Sequence, residues 1–302
     1  MAKGFTHDDV PDQSGRTFLV TGANTGLGFE ATRVLAAKGA RVLLGCRSKD
    51  RAESAMATIR EDVADADLAF IELDQGDLAS VKAAADQAAA EPRLDVLVNN
   101  AGIMHVPRGR TVDGFERHLG VNHLGTFALT AHLLPKLGER EGSRVVTTSS
   151  IAHLASKIDF DDLNADRRYQ RDVRYGQSKL ANLMFMFELD RRLSAVGSKT
   201  ISVGCHPGIA TTELTRHLGA WFGVVAPLVG RVFNSPEMGA WPTLMAATAR
   251  DVRGGYYFGP NKRFETAGPA RRAFANARSR DPELARRLWE ASIEMTGVDP
   301  GI

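Results

Sequence analysis

Tyr175 and Lys179 stand four positions apart in the stretch RYGQSKLAN, residues 174–182. On a helix, residues i and i+4 lie one above the other, so a phenol and an ammonium group would converge on one pocket. The sequence that overlaps and follows, LANLMFMFEL, is strongly apolar, so this helix reads as mostly buried with one polar corner. A free phenol ionises near pH ~10, too high to exchange protons readily at neutral pH, and a neighbouring cation favours the phenolate and lowers that value. Such a pair is suited to giving a proton to an oxyanion or taking one from a hydroxyl. Y-x-x-x-K arises often by chance, so its meaning depends on the elements that hold it.

Those elements alternate. Short runs at 16–20, 41–45, 68–73, 95–100, 143–149 and 200–204 read as buried strands, with 255–258 as a further one. Alanine-rich segments with apolar residues at helical spacing, such as FEATRVLAAKGA and LASVKAAADQAAAE, lie between them. This rhythm predicts α/β architecture: a doubly wound parallel sheet of about seven strands with helices on both faces and right-handed crossovers. With no repeat and no linker, residues 1–302 are expected to form one domain.

A net charge of +2 gives no field that would favour nucleic acid or an anionic membrane. The most apolar run, 218–233, is broken by Gly, Pro and Arg231 and falls short of the roughly 20 residues of a membrane span. The opening MAKGFTHDDVPDQSG does not read as a signal peptide. Two cysteines, Cys46 and Cys205, are too few for a disulfide framework and fit a reducing compartment. A cytoplasmic protein without nucleic-acid or membrane partners is expected.

The first strand runs into VTGANTGLGFEATRVLAAKG, with Gly22, Gly26 and Gly28 at the strand-to-helix turn. Glycine allows the tight turn and close approach of a ligand, and the free N–H groups of the helix N-terminus suit a phosphate. The spacing is T-G-x-x-x-G-x-G, and from Thr21 to Gly28 it resembles the loop of the short-chain dehydrogenase/reductase family. That resemblance implies a Rossmann fold, core residues 16–260, and a dinucleotide held by Gly22, Asn24, Thr25, Gly26, Leu27 and Gly28. About 20 residues beyond the loop, NAD enzymes usually carry an acid for the ribose 2′-hydroxyl. Here the second strand ends LLGCRSKDR, with Arg47 and Lys49, and a guanidinium suits a 2′-phosphate that a carboxylate would repel. NADP(H) is therefore expected over NAD(H).

The resemblance continues in chain order. Asp74 matches the aspartate that contacts the adenine amino group, although by itself it also reads as a helix cap or turn residue. Asn99 to Gly102 match N-N-A-G, so Asn100, Ala101 and Gly102 are expected beside the adenosine ribose. Asn122 matches an asparagine that bends its helix and holds a water in a proton path. In VVTTSSIAH the catalytic serine is placed at Ser150 rather than Ser149. After the sixth strand, CHPGIATTEL matches P-G-x-x-x-T, which puts Pro207, Gly208, Ile209 and Thr212 near the nicotinamide carboxamide and diphosphate. The family then gives the opening pair its task. Ser150 orients a substrate oxygen, Tyr175 gives the proton in reduction and takes it in oxidation, and Lys179 lowers the phenol's pKa and holds the nicotinamide ribose.

The 25-residue gap from Ser150 to Tyr175 contains KIDFDDLNADRRYQRDVR, which resembles the retinol-dehydrogenase-like and protochlorophyllide-reductase-like branch, as do TGANTG, GCRS and SPEMGAWPTLMAA. That branch acts on bulky apolar alcohols or carbonyls, with 213–236 as a lid carrying Trp221 and Phe222, or as a segment that packs on the core or a partner. Gln75 departs from the branch, which usually has an apolar residue there. The tail, 264–302, reads as an Arg-rich stretch ending in a helix from Asp281-Pro282, used for packing or a subunit contact. The apolar face of the Tyr175 helix is core or the contact of a homodimer or homotetramer. His206 and the other histidines are unclustered, so no metal site is expected. The competing function is a non-catalytic dinucleotide sensor or scaffold on the same fold, which the intact Asn122, Ser150, Tyr175 and Lys179 disfavour. A nucleotide-sugar epimerase would need a differently spaced loop.

Overall fold

The computed structural model describes residues 4–209 and 234–302. Six strands form the parallel part of one sheet: β1 (Thr17–Thr21), β2 (Arg41–Cys46), β3 (Leu68–Glu72), β4 (Val96–Asn99), β5 (Arg144–Thr148) and β6 (Ile201–Cys205). β7 (Tyr257–Lys262) adds in parallel to β6, and β8 (Ala267–Arg272) returns antiparallel beside it. The order is β3-β2-β1-β4-β5-β6-β7-β8. The sheet is thus eight-stranded where about seven strands were expected. AGPARR carries a glycine and a proline and lacks a strand's apolar pattern; as the outermost strand β8 tolerates Pro269. Phe5 and Ala270 exchange backbone hydrogen bonds of 2.8 Å each way, which covers part of the outer edge of β8.

Side-chain alternation builds two cores. In β1, Phe18 and Val20 point to one face, where they pack with Val34 and Leu35 of α1 (Gly26–Ala37) and Ile59 of α2 (Lys49–Asp62). Leu244 of α6 (Pro236–Thr248) joins that cluster. Leu19 points to the other face with Leu43, Leu97 and Val145, against α3 (Leu78–Ala89), α4 (Gly125–Gly138) and α5 (Arg171–Ala195). The final helix, α7 (Pro282–Thr296), is capped by Asp281, begins with Pro282 and ends at a left-handed Gly297. Its residues Ala285 and Leu288 pack on Leu180 and Met184, and Trp289 on Phe185. The apolar face of α5 is therefore core within this chain, closed by its own tail.

Strand order reverses at β1, between β2 on one side and β4 on the other. In an open α/β sheet the crevice beyond the carboxyl ends of the strands at such a point is where a ligand sits. Most of the residues singled out in the sequence come to that end. Thr212 and positions 213–233 of the expected lid lie outside the described residues; Asn234 and Ser235 lead into α6, with Ser235 Oγ accepting the Met238 N–H at 3.2 Å as its cap.

Candidate active site

A cavity of about 750 Å³ opens at the switch point. One wall is the turn from β1 to α1, including Gly22, Asn24, Thr25, Gly26, Leu27 and Gly28. Gly22 and Gly26 have φ of +66° and +57°, a region costly for other residues. Gly28 serves a different need, because a methyl group there would collide with the Gly22 carbonyl and the Asn100 amide. The first turn of α1 can therefore come down close to the loop, with its N–H groups facing the cavity mouth.

The ends of β1 and β4 are tied together. Thr21 Oγ1 accepts from the N–H groups of Asn100 (3.0 Å) and Ala101 (2.9 Å), and Asn100 Nδ2 donates to the Thr21 carbonyl (2.9 Å). Asn99 faces away and donates to Thr130 Oγ1 on α4. Asp74 lines the cavity while its Oδ1 accepts the Gly76 N–H at 2.8 Å. It is thus the turn residue; the cap of α3 is Asp77, whose Oδ1 accepts from Ala79 and Ser80. Gln75, the departure from the branch, also lines the cavity and donates to Thr126 Oγ1 at 2.9 Å.

At the end of β2, Arg47 lies 79% exposed at the cavity rim, with only a 3.7 Å approach to Asp74. Ser48 caps α2, and Arg51 in its first turn joins Arg47 in the wall. Lys49 instead approaches Glu53 at 3.7 Å and does not line the cavity. Arg51 is not among the residues the sequence singles out; the signal for it is its place three residues after the capping Ser48.

Tyr175 and Lys179 line the same cavity, 6% exposed each. They share one face of α5, with Lys179 Nζ 5.9 Å from the Tyr175 ring centroid and 3.4 Å from the Thr148 carbonyl. Gly102 lets the ammonium pass, since a Cβ there would sit 3.2 Å from Nζ. Ser149 lines the cavity wall, but its hydroxyl donates to the Lys179 carbonyl at 2.7 Å and is spent in holding α5. Ser150 stands next to that wall, 8% exposed, capping a one-turn 3-10 helix (Ile151–Ala155). Its oxygen accepts the Ala152 N–H at 3.2 Å, and a hydroxyl that accepts still has a proton to donate.

Asn122 is fully buried in a π-helical turn, Leu119–Leu124. Its amide grips both backbone groups of Ile103, at 2.7 and 3.0 Å, and donates to Ser178 Oγ at 2.9 Å. Ser178 in turn donates to the Tyr175 carbonyl at 2.7 Å. Asn122 is thus a positioning residue that links the β4 loop to α5. Ser178, hidden in the sequence as an ordinary helical serine, is the second half of that link. Pro207 lines the cavity, whereas Gly208 and Ile209 stand behind it, the Ile209 N–H donating to the Thr266 carbonyl at 3.0 Å.

The segment between Ser150 and Tyr175 is clasped to the body. Buried Arg174 pairs with buried Asp162 at 2.6 Å and donates to the Arg168 carbonyl, while Arg108 donates to the carbonyls of Ala165 and Asp166.

The family model described as short chain dehydrogenase matches residues 16–222. The chain belongs to the short-chain dehydrogenase/reductase family. Mouse (Mus musculus) retinol dehydrogenase 12 is 42% identical over 287 residues, covering 94% of this chain and 87% of that protein. Mouse polyprenol dehydrogenase is 40% identical over 300 residues, covering 97% and 87%. Among solved structures, an uncharacterised protein from Mycobacterium paratuberculosis superposes with a TM-score of 0.83 at 38% identity, covering 99% and 100%. This short-chain dehydrogenase/reductase falls in the retinol-dehydrogenase-like branch and is an enzyme acting on CH–OH donors with a nicotinamide dinucleotide.

The crowding at Gly28 makes one prediction for such a dinucleotide. Gly28→Ala is expected to destabilise the fold by ~1–3 kcal/mol through overpacking and to weaken NADPH and NADH alike. Thermal melts with and without each nucleotide check this, and undiminished stabilisation by both would refute the close approach.

Proposed function

We propose that this enzyme uses NADP(H) in preference to NAD(H) to interconvert an alcohol and a carbonyl on an apolar substrate. The observation that carries the reading is one continuous cavity lined by the glycine turn and Arg47 as well as by Tyr175 and Lys179. The donor set fits a dinucleotide: a glycine cradle that a side chain would fill, N–H groups at a helix start, and two arginines at the β2–α2 corner. Gly22, Asn24, Thr25, Gly26, Leu27 and Gly28 would hold the diphosphate, Asp74 and Asn100 to Gly102 the adenosine side, and Arg47 with Arg51 a 2′-phosphate. Lys179 would hold the nicotinamide ribose, with Pro207 and the residues after it toward the carboxamide.

When bound, the nicotinamide supplies or accepts the hydride. Everything else falls to this chain. Ser150 donates a hydrogen bond to the substrate oxygen and fixes its direction. As the carbonyl carbon gains hydride, its oxygen becomes an alkoxide, and the Tyr175 hydroxyl gives it the proton; in oxidation the phenolate takes that proton back. Lys179 beside the ring stabilises the phenolate form. Asn122 and Ser178 keep α5 in register with the loop that ends at Ile103.

An apolar substrate is supported from two sides. The relatives carry names of retinol and polyprenol dehydrogenases. Leu154 and Val173, on the elements flanking Ser150 and Tyr175, are 47% and 52% exposed, and Ile103 and Met104 line the cavity.

Titration with NADPH and NADH, followed by fluorescence, tests the cofactor assignment, and equal weak binding of both would refute it. Arg47→Ala is expected to weaken NADPH by roughly 10–100-fold, the value of one charge-assisted contact, while NADH changes little. Assays of NADPH oxidation with all-trans-retinal, decanal and a small polar ketone test the substrate class; a preference for the polar ketone would overturn it.

A further inference from the structure

A buried imidazole stands directly behind Ser150. His153 is 1% exposed and sits in the middle of the same short 3-10 helix that Ser150 caps. Its Nδ1 lies 2.7 Å from the Ser150 carbonyl. A carbonyl only accepts, so Nδ1 carries the proton and the imidazole is the Nδ1–H tautomer. The other nitrogen, Nε2, is buried and has no hydrogen-bond partner among the described residues. Burying an unpaired polar atom is costly, so what keeps a histidine here is the bond to Ser150 together with the ring's packing. Burial also holds its pKa below the ordinary value, which keeps the ring neutral.

The packing leads to the other side of the reacting end. The Tyr257 ring stands edge-on to His153, with centroids 5.7 Å apart, and tilts against His206 at 5.3 Å. His206 Nδ1 accepts the Gly208 N–H at 3.2 Å, and its Nε2 meets Glu265 at 3.3 Å. Glu265 sits in the β7–β8 turn and accepts the Phe274 N–H at 2.9 Å. A contiguous buried column thus joins the Ser150 turn to the Pro207–Gly208 turn.

We propose that His153 is a positioning residue for the reaction: the Ser150 carbonyl accepts its backbone N–H at 3.1 Å, and by adding Nδ1–H to that same carbonyl the ring braces the turn that aims the Ser150 hydroxyl at the substrate oxygen. This rests on the assignment of Ser150 under the proposed function. An asparagine at 153 can place its amide N–H where Nδ1–H was, whereas a glutamine places it near Nε2. The test measures NADPH oxidation with the better of retinal and decanal for His153→Asn, His153→Gln, Ser150→Ala and the double variant Ser150→Ala/His153→Gln. NADPH affinity and melting temperature are measured on each.

His153→Gln is expected to lower kcat by ~100-fold, the effect of a small misplacement, with NADPH affinity unchanged. Asn should recover kcat to within about threefold of the parent, and Gln should add nothing once Ser150 is alanine, because both act through one hydroxyl. Equal activity of the Gln and Asn variants, or full additivity in the double variant, overturns the positioning role. Ser150→Ala without effect would instead sink the assignment of Ser150. Independently of any variant or substrate, ¹⁵N-detected imidazole NMR of the parent protein should show the Nδ1–H tautomer for His153, and an Nε2–H signal overturns the proposal.

Discussion

Tyr175→Phe is expected to lower turnover by ~1,000-fold or more in both directions, the weight of a positioned general acid–base group. The change removes one oxygen and keeps the ring, so the edge contacts with His105 (5.7 Å) and His118 (6.2 Å) survive. The backbone of position 175 still accepts from Ser178, so the link from Asn122 through Ser178 to α5 is also kept. NADPH affinity should then stay within a few fold, since Lys179 and the glycine turn are untouched. The measurement is steady-state turnover beside equilibrium titration of the same preparation. Near-parental kcat in the Tyr175→Phe variant would remove Tyr175 as the proton donor and leave the cavity a binding site only.

Trp289→Ala is expected to destabilise the protein by ~3–5 kcal/mol, the cost of emptying a large aromatic site in a packed core. Trp289 is 2% exposed, stacks on Phe185 at 5.9 Å, meets Phe127 edge-on at 5.2 Å, and carries the Arg192 guanidinium 4.5 Å over its ring. Nearby, the Ser292 hydroxyl donates to the Leu288 carbonyl, so His123 Nε2 must be the donor of the 2.8 Å bond to Ser292. Burial lowers the His123 pKa to about 4, so that ring stays neutral and needs this partner. Loosening α7 therefore strips an aromatic plug from α4 and α5 and a hydrogen-bond partner from His123 in the π-helical turn before α4. Urea unfolding of the parent, Trp289→Phe and Trp289→Ala checks this. A loss below about 1 kcal/mol for alanine would mean that α7 is a surface appendage.

Much of this was legible in the chain, for physical reasons. The strands β1, β2, β4, β5 and β6 are buried nearly throughout and so read as strands in the sequence, and the glycines Gly22 and Gly26 of the first turn are fixed by backbone geometry rather than by packing. Asp281-Pro282 marked the start of α7 because capping chemistry is local. What stayed hidden depends on tertiary pairing. β8 has no pattern of its own and exists because β7 offers it an edge. Thr21, Ser178 and His153 looked like ordinary residues until their partners on other elements were known. The choice of Ser150 over Ser149 rests on a resemblance; that the Ser149 hydroxyl donates its hydrogen bond to the Lys179 carbonyl is a tertiary pairing no sequence pattern shows.

The pairing of Phe5 with Ala270 carries a consequence for biogenesis. Phe5 waits unpaired until synthesis has passed Ala270, because its docking strand lies that far along the chain. The sheet's final seam is thus a long-range closure, slow by its topology, and until it forms β8 remains an open strand edge to which another chain can add.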